Sequence, residues 1–159
     1  MAHKYVIVHM VEPGFPLQFS THRWPLHLTL LINFSLPVSE DLFIQKLDKL
    51  AAKCKPFDVR LGDKAMFGSA GKVPVRLAEH QPKLQDLHDS LMTLATGLGA
   101  SYDSDQFMGA AYHPHVTLHN RQLQRGYSFT LADVSLVDLA PDQNPRRRRV
   151  IKTIEFSAG

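Results

Sequence analysis

The sequence predicts an α+β fold built from a pseudo-twofold pair of small antiparallel sheets that face each other, each backed by a helix. Three observations predict it. Most of the 159 residues fall into short segments of alternating apolar and polar side chains bounded by Pro and Gly, the period of half-buried strands. Only two segments carry a helical period. One four-residue pattern, His-x-Thr-Leu, occurs beside each of them, as His27-Leu28-Thr29-Leu30 and His115-Val116-Thr117-Leu118. That repetition hints at internal duplication.

The elements follow in order. Residues 4–10 alternate as a first strand. Residues 11–25, rich in Pro and Gly, read as a loop. Residues 27–34 form the first motif strand. Ser39 is a candidate N-cap for a helix to about residue 53, with Leu42, Phe43, Leu47, Leu50 and Ala51 at helical spacing. Residues 56–61 alternate as a strand, 62–71 read as turn-rich, and 73–78 as a strand whose Pro74 suggests a sheet edge. Residues 82–98 give the second helix, closed by Gly99. After a loop over 100–112 come the second motif strand at 115–119, a strand run over 128–139 with a bend, a turn at 142–145 and a last strand at 150–156.

Composition narrows the classes. A length of 159 residues suits one domain, here expected to span 1–159 as two lobes. The apolar fraction of 44% and charged fraction of 21% are those of an ordinary globular chain. No apolar stretch approaches the ~18 residues that span a bilayer, so no membrane partner is expected. The first ten residues hold too short an apolar run for a signal peptide. The single cysteine, Cys54, forbids an intrachain disulfide. Both point to a cytoplasmic location, and a monomer is the expected state. The net charge of +3 suits an anionic ligand, and much of it comes from Arg146, Arg147, Arg148 and Arg149. That run is expected in a hairpin between the last strands, as a solvated loop or an RNA-backbone contact.

The motifs carry the chemistry. On a strand, positions i and i+2 share a face, so each copy offers one imidazole and one hydroxyl together. If the two strands meet, two histidines and two hydroxyls surround one cleft, a set suited to metal-free phosphodiester chemistry. The chain has nine histidines, and about one His-x-Ser/Thr match is expected by chance at average composition. His88-Asp89-Ser90 is such a match, and its helical setting reads as solvated surface.

The paired motifs, 88 positions apart, with Pro114-His115-Val116-Thr117-Leu118 as the second, resemble those of the 2H phosphoesterase superfamily, in particular its bacterial 2′–5′ RNA ligase-like and RNA 2′,3′-cyclic phosphodiesterase members. The order of elements is similar over nearly the whole chain. The resemblance implies a bilobal α+β fold with a central groove, helices on the outside, and His27, Thr29, His115 and Thr117 facing the groove. It implies metal-independent hydrolysis of 2′,3′-cyclic phosphate ends of RNA or nucleotides to 2′-phosphates, with 2′–5′ ligase activity as a related reaction and no cofactor. The arginine run is not part of that family's motif.

Such a reaction needs a base for water and an acid for the departing ribose oxygen, and histidine suits both near neutrality. The expected roles are His115 as base and His27 as acid in hydrolysis, exchanged in the reverse direction. Thr29 and Thr117 would hold the non-bridging oxygens. Tyr112 and Phe67 are candidates to stack on a base. Arg121 would share the face of His115 if that strand continued, and Arg76 is a second candidate for phosphate charge. Arg23 and Trp24, which precede the first motif, would form a groove wall.

Two rivals remain at this point. His113, His115 and His119 could suggest a metal, but along one strand they would be too spread for one ion and lack acidic or cysteine co-ligands. A non-catalytic RNA-end or nucleotide-binding module on the same scaffold would use the histidines only to hold phosphate.

Overall fold

The computed structural model describes residues 3–158. Among these it contains ten strands and two α-helices: β1 Lys4–Met10, β2 Gln18–Ser20, β3 His27–Ser35, α1 Glu40–Ala51, β4 Phe57–Phe67, β5 Val73–Ala78, α2 Pro82–Gly97, β6 Ser101–Tyr102, β7 His115–Thr117, β8 Ser128–Leu131, β9 Asp133–Asp138 and β10 Arg147–Glu155. The fold is α+β, with the helices outside a large antiparallel sheet set. Pairing runs in the order β2-β10-β9-β1-β3-β7-β5-β4-β8, with β6 on the far end of β3. The two halves therefore join at β3 and β7, the motif strands.

Local signals explain both helices. Ser39 Oγ accepts the Leu42 N–H at 3.2 Å, a cap worth about 1 kcal/mol. Glu40 and Asp41 in the first turn and Lys49 in the last complement the helix dipole. Phe43, Leu47 and Ala51 recur every fourth residue and are fully buried; the two larger side chains contribute about 1.5–3 kcal/mol each. Pro82 opens α2, and Leu84, Leu87, His88, Leu91 and Ala95 face inward. Gly99 ends it at φ 91°, where a Cβ would lie 2.8 Å from Pro37 Cγ. α2 packs on β3, and α1 lies against α2 and β10. No helix among the described residues is long and apolar enough to cross a membrane.

Several segments differ from expectation because pairing overrides local composition. The turn-rich reading of 62–71 fails at its start: β4 runs on to Phe67, held by β5 from Lys64↔Arg76 to Phe67↔Val73. The turn itself needs only Gly68 and Gly71, both at positive φ. β5 is an interior strand between β4 and β7; Pro74 is tolerated near its start, and its carbonyl accepts the Leu118 N–H at 3.0 Å. The 128–139 run breaks at Ala132, so β8 pairs with β4 while β9 pairs with β1 and β10. The 11–25 loop contributes β2 to the sheet edge. The arginine run opens β10 instead of forming a hairpin loop: Arg147, Arg148 and Arg149 pair with Ser20, Phe19 and Gln18.

The sheet has an apolar cluster on each face. The main core lies toward the helices and includes Leu28, Leu30, Leu31, Phe34, Val59, Leu61 and Val116. Val6, Val8, Met10, Phe19, Val137, Leu139 and Val150, with Phe15 and Trp24 at the margin, form a smaller cluster on the other face. Two register shifts between β1 and β3 let Leu30 and the adjacent Leu31 both be buried, as β-bulges do.

Candidate active site

The site begins with one strand pair. Leu28 lies opposite Val116, and both are fully buried on the helix side. In this antiparallel register the flanking positions bring His27 beside Thr117 and Thr29 beside His115. Because side chains alternate, these four share the opposite face, where all are partly exposed. The strands thus place two imidazoles and two hydroxyls in diagonal alternation.

Each histidine is locked the same way. His27 Nδ1 lies 2.8 Å from the Pro25 carbonyl and His115 Nδ1 lies 2.7 Å from the His113 carbonyl, in both cases two residues earlier. A carbonyl only accepts, so Nδ1 carries the proton and donates, leaving Nε2 as the nitrogen free for chemistry. Burial pushes His27 down to about 4; the Pro25 hydrogen bond opposes this, and positive charge on His119 or His115 adds to it. Burial also lowers His115, against its bond to His113. Two neutral imidazoles therefore face the groove at neutral pH in the free protein.

An aromatic ring flanks each one. Trp24 lies 4.3 Å, centroid to centroid, from His27. Trp24 also touches Phe19, and the Arg148 guanidinium sits 6.0 Å over its ring. On the other side Phe67 meets His115 at 4.6 Å and an interplanar angle of 65°, while Phe107 lies parallel to Phe67 at 5.8 Å. Trp24 thus lies beside the first motif and Phe67 beside the second.

The other candidates do not. Tyr112 supports β3 from beneath: its hydroxyl donates to the Thr29 carbonyl at 2.8 Å and its ring lies flat on His88 at 4.1 Å. That occupied ring face does not serve as a base platform. His88, expected on solvated surface, is fully buried. Its Nδ1 donates to the Leu30 carbonyl at 2.7 Å and its Nε2 accepts from Gly109 N–H at 2.9 Å. Arg76 pairs with Val116 and so points to the opposite face from His115; it holds the Leu123 and Gly62 carbonyls. Arg121 does not follow His115 along a strand, because β7 ends at Thr117 and the chain turns through His119 and Asn120 at positive φ. It reaches a cleft beside Trp24 by that turn, paired with Glu12 at 2.7 Å. Sequence reasoning missed Phe107, for which no local signal exists. It weighed His119 only as a metal ligand on a continuing strand; the turn instead brings its ring within 6.1 Å of His27, and the turn-favouring Asn120 after it was the available clue. Among the described residues no group of three or more His, Cys, Asp or Glu is placed to hold a metal ion.

Escherichia coli LigT complexed with 3′-AMP is 17% identical with a TM-score of 0.63, matching 99% of this chain and 100% of that one. TT0787 of Thermus thermophilus is 18% identical with a TM-score of 0.62, over 98% of each chain. A crystal structure described as a phosphoesterase is 17% identical with a TM-score of 0.63, over 99% and 100%. At such identities these likenesses establish the fold. No curated protein matches the chain by sequence. A family model does: that of the 2′-5′ RNA ligase superfamily matches residues 13–144, a stretch that runs from the loop before the first motif past the second. By that match the chain is a member of the 2′-5′ RNA ligase superfamily, the 2H phosphoesterases.

Proposed function

We propose that the protein opens 2′,3′-cyclic phosphates at RNA ends or on nucleotides to give 2′-phosphates, without a metal. One observation carries this reading: two imidazoles on neighbouring strands, each held through Nδ1 with Nε2 free, beside two threonine hydroxyls. In hydrolysis one Nε2 takes a proton from water as its oxygen bonds to phosphorus. The P–O3′ bond breaks, and the other imidazole gives its proton to O3′. Thr29 and Thr117 donate hydrogen bonds to the non-bridging oxygens, which gain charge in the transition state. A 5′-hydroxyl in place of water would yield a 2′–5′ phosphodiester by the same steps.

The electrostatics favour one assignment of roles. A base must be neutral and an acid protonated, so the lower pKa suits the base. His27, held near 4, is the better base and His115 the better acid, the reverse of the assignment expected from sequence.

The test is incubation, in chelator, with an oligonucleotide ending in a 2′,3′-cyclic phosphate and with 2′,3′-cyclic nucleotides. Conversion to a 2′-phosphate by the wild type, lost in His27→Ala and His115→Ala, is the expected result. Binding of folded protein to these ligands with the cyclic phosphate intact would overturn the enzymatic reading in favour of a binding module.

A further inference from the structure

The turn that ends β7 has an unusual composition. His119 at φ 48° and Asn120 at φ 62° are both left-handed, and the Arg121 N–H closes the turn on the Leu118 carbonyl at 2.7 Å. Glycine adopts this conformation freely, and Asn and His more readily than other side chains do. The turn brings the His119 ring within 6.1 Å of the His27 ring. His119 Nε2 is buried without a hydrogen-bond partner among the described residues. Buried polar atoms in folded proteins are nearly always bonded, so this one has unused bonding capacity.

His119 also lines a cleft of about 440 Å³ on the His27 side of the motif pair, where Trp24 and His119 both approach His27, a volume suited to a small ligand. Its walls combine two cations, Arg23 and Arg121, and the His119 imidazole, which burial keeps neutral but able to donate one N–H, with the apolar faces of Phe15 and Trp24. Glu12 is the one carboxylate on the wall, and it holds Arg121 in place at 2.7 Å while leaving the rest of the guanidinium free to donate. Arg23 makes no ion pair among the described residues.

We propose that this cleft receives a second phosphate of the substrate, one ribose away from the reacting phosphate, and that His119 is the residue selecting for it. The proposal deepens the phosphodiesterase reading above, on which it rests. It names the substrate as a nucleotide chain end, which carries such a phosphate, in preference to a cyclic mononucleotide, which does not.

Binding tests it without turnover. Trp24 is the only tryptophan in the chain and forms part of the cleft, so intrinsic fluorescence reports occupancy there. Adenosine 2′-monophosphate and adenosine 2′,5′-bisphosphate are titrated at fixed ionic strength. The wild type should bind the bisphosphate about tenfold or more tightly, the worth of one hydrogen bond to a charged group. His119→Asn preserves the left-handed turn and should reduce that preference to about twofold or less; Arg23→Gln, an exposed change, should reduce it too. Equal affinities in the wild type, or a preference that survives in His119→Asn, would overturn the proposal. A bisphosphate preference that depends on His119, in a protein that leaves cyclic phosphates intact, would support the cleft and remove only the hydrolytic reading.

Discussion

Leu28 lies directly opposite Val116 where β3 meets β7, and this one pairing brings residues 88 positions apart in sequence into a single site. Both side chains are fully buried, so the pairing is held by the core on one face while the motif residues stay accessible on the other. A slip of one residue would send His27 and Thr29 into the core.

If the paired imidazoles act as base and acid, removing either should be severe. His27→Ala and His115→Ala should each lower turnover of a cyclic phosphate by about 10²–10⁴-fold, the usual worth of such a group. Thr29→Ala and Thr117→Ala should cost less, about 10–10³-fold, as lost donors to a developing oxyanion do. Near-wild-type rates in either histidine variant, measured on well-folded protein, would sink the mechanism.

The depressed pKa values set the pH profile. With His27 near 4 as base and His115 below 6.5 as acid, kcat/KM should rise as pH increases through about 4. It should then fall before neutrality as His115 loses its proton. The optimum lies on the acid side, and the two limbs report the pair. A profile flat from pH 5 to 8, recorded with a 2′,3′-cyclic nucleotide, would contradict two titrating histidines.

The same depression affects stability. Below pH 6.5 the unfolded chain takes up a proton on His27 that the folded chain, with its value near 4, does not. Stability from this group therefore declines as pH falls from about 6.5 to about 4 and levels off below. The loss is about 2–3 kcal/mol by pH 4.5. His27→Gln should unfold with a shallower dependence on pH over that window. Parallel curves for the two proteins in urea titrations would show that His27 is not held neutral by the fold.

His88 and Tyr112 support the motif strand from beneath. His88 joins the Leu30 carbonyl in β3 to the Gly109 N–H, so His88→Leu should strand two backbone groups and cost about 2–4 kcal/mol. Tyr112→Phe, which loses only the bond to the Thr29 carbonyl, should cost about 1 kcal/mol. Urea unfolding measures both. An unchanged midpoint for His88→Leu would mean that those groups are satisfied without the imidazole.

Much of this was legible in the chain. Both helices follow from caps and apolar spacing, which act within a few residues: Ser39 on Leu42 N–H, Phe43, Leu47 and Ala51 on one stripe, Gly99 at the stop. The paired motifs were legible because a strand's alternation puts i and i+2 together whatever its neighbours are. Trp24 was legible as a neighbour of the first motif, three residues before it, whereas Phe67 was a candidate only for base stacking and the fold sets it against His115.

Other assignments waited on the fold. Arg76 and His115 both sit on strands that local pattern identifies, yet the register of β5 on β7 decides that they face opposite ways. His88 looks like solvated helix surface until α2 is laid on β3 and the Leu30 carbonyl needs a donor. Arg148 reads as part of a solvated run until β10 pairs with β2 and sets it over Trp24. His119 reads as strand until two left-handed residues turn it toward His27. The sequence by itself determined both helices, most of the strands and the two His-x-Thr motifs proposed to carry the chemistry, because those properties depend on neighbours a few positions away. Only the tertiary structure decided which strands meet, which face each charged side chain takes and which histidines are structural, because those depend on register and packing between residues tens of positions apart.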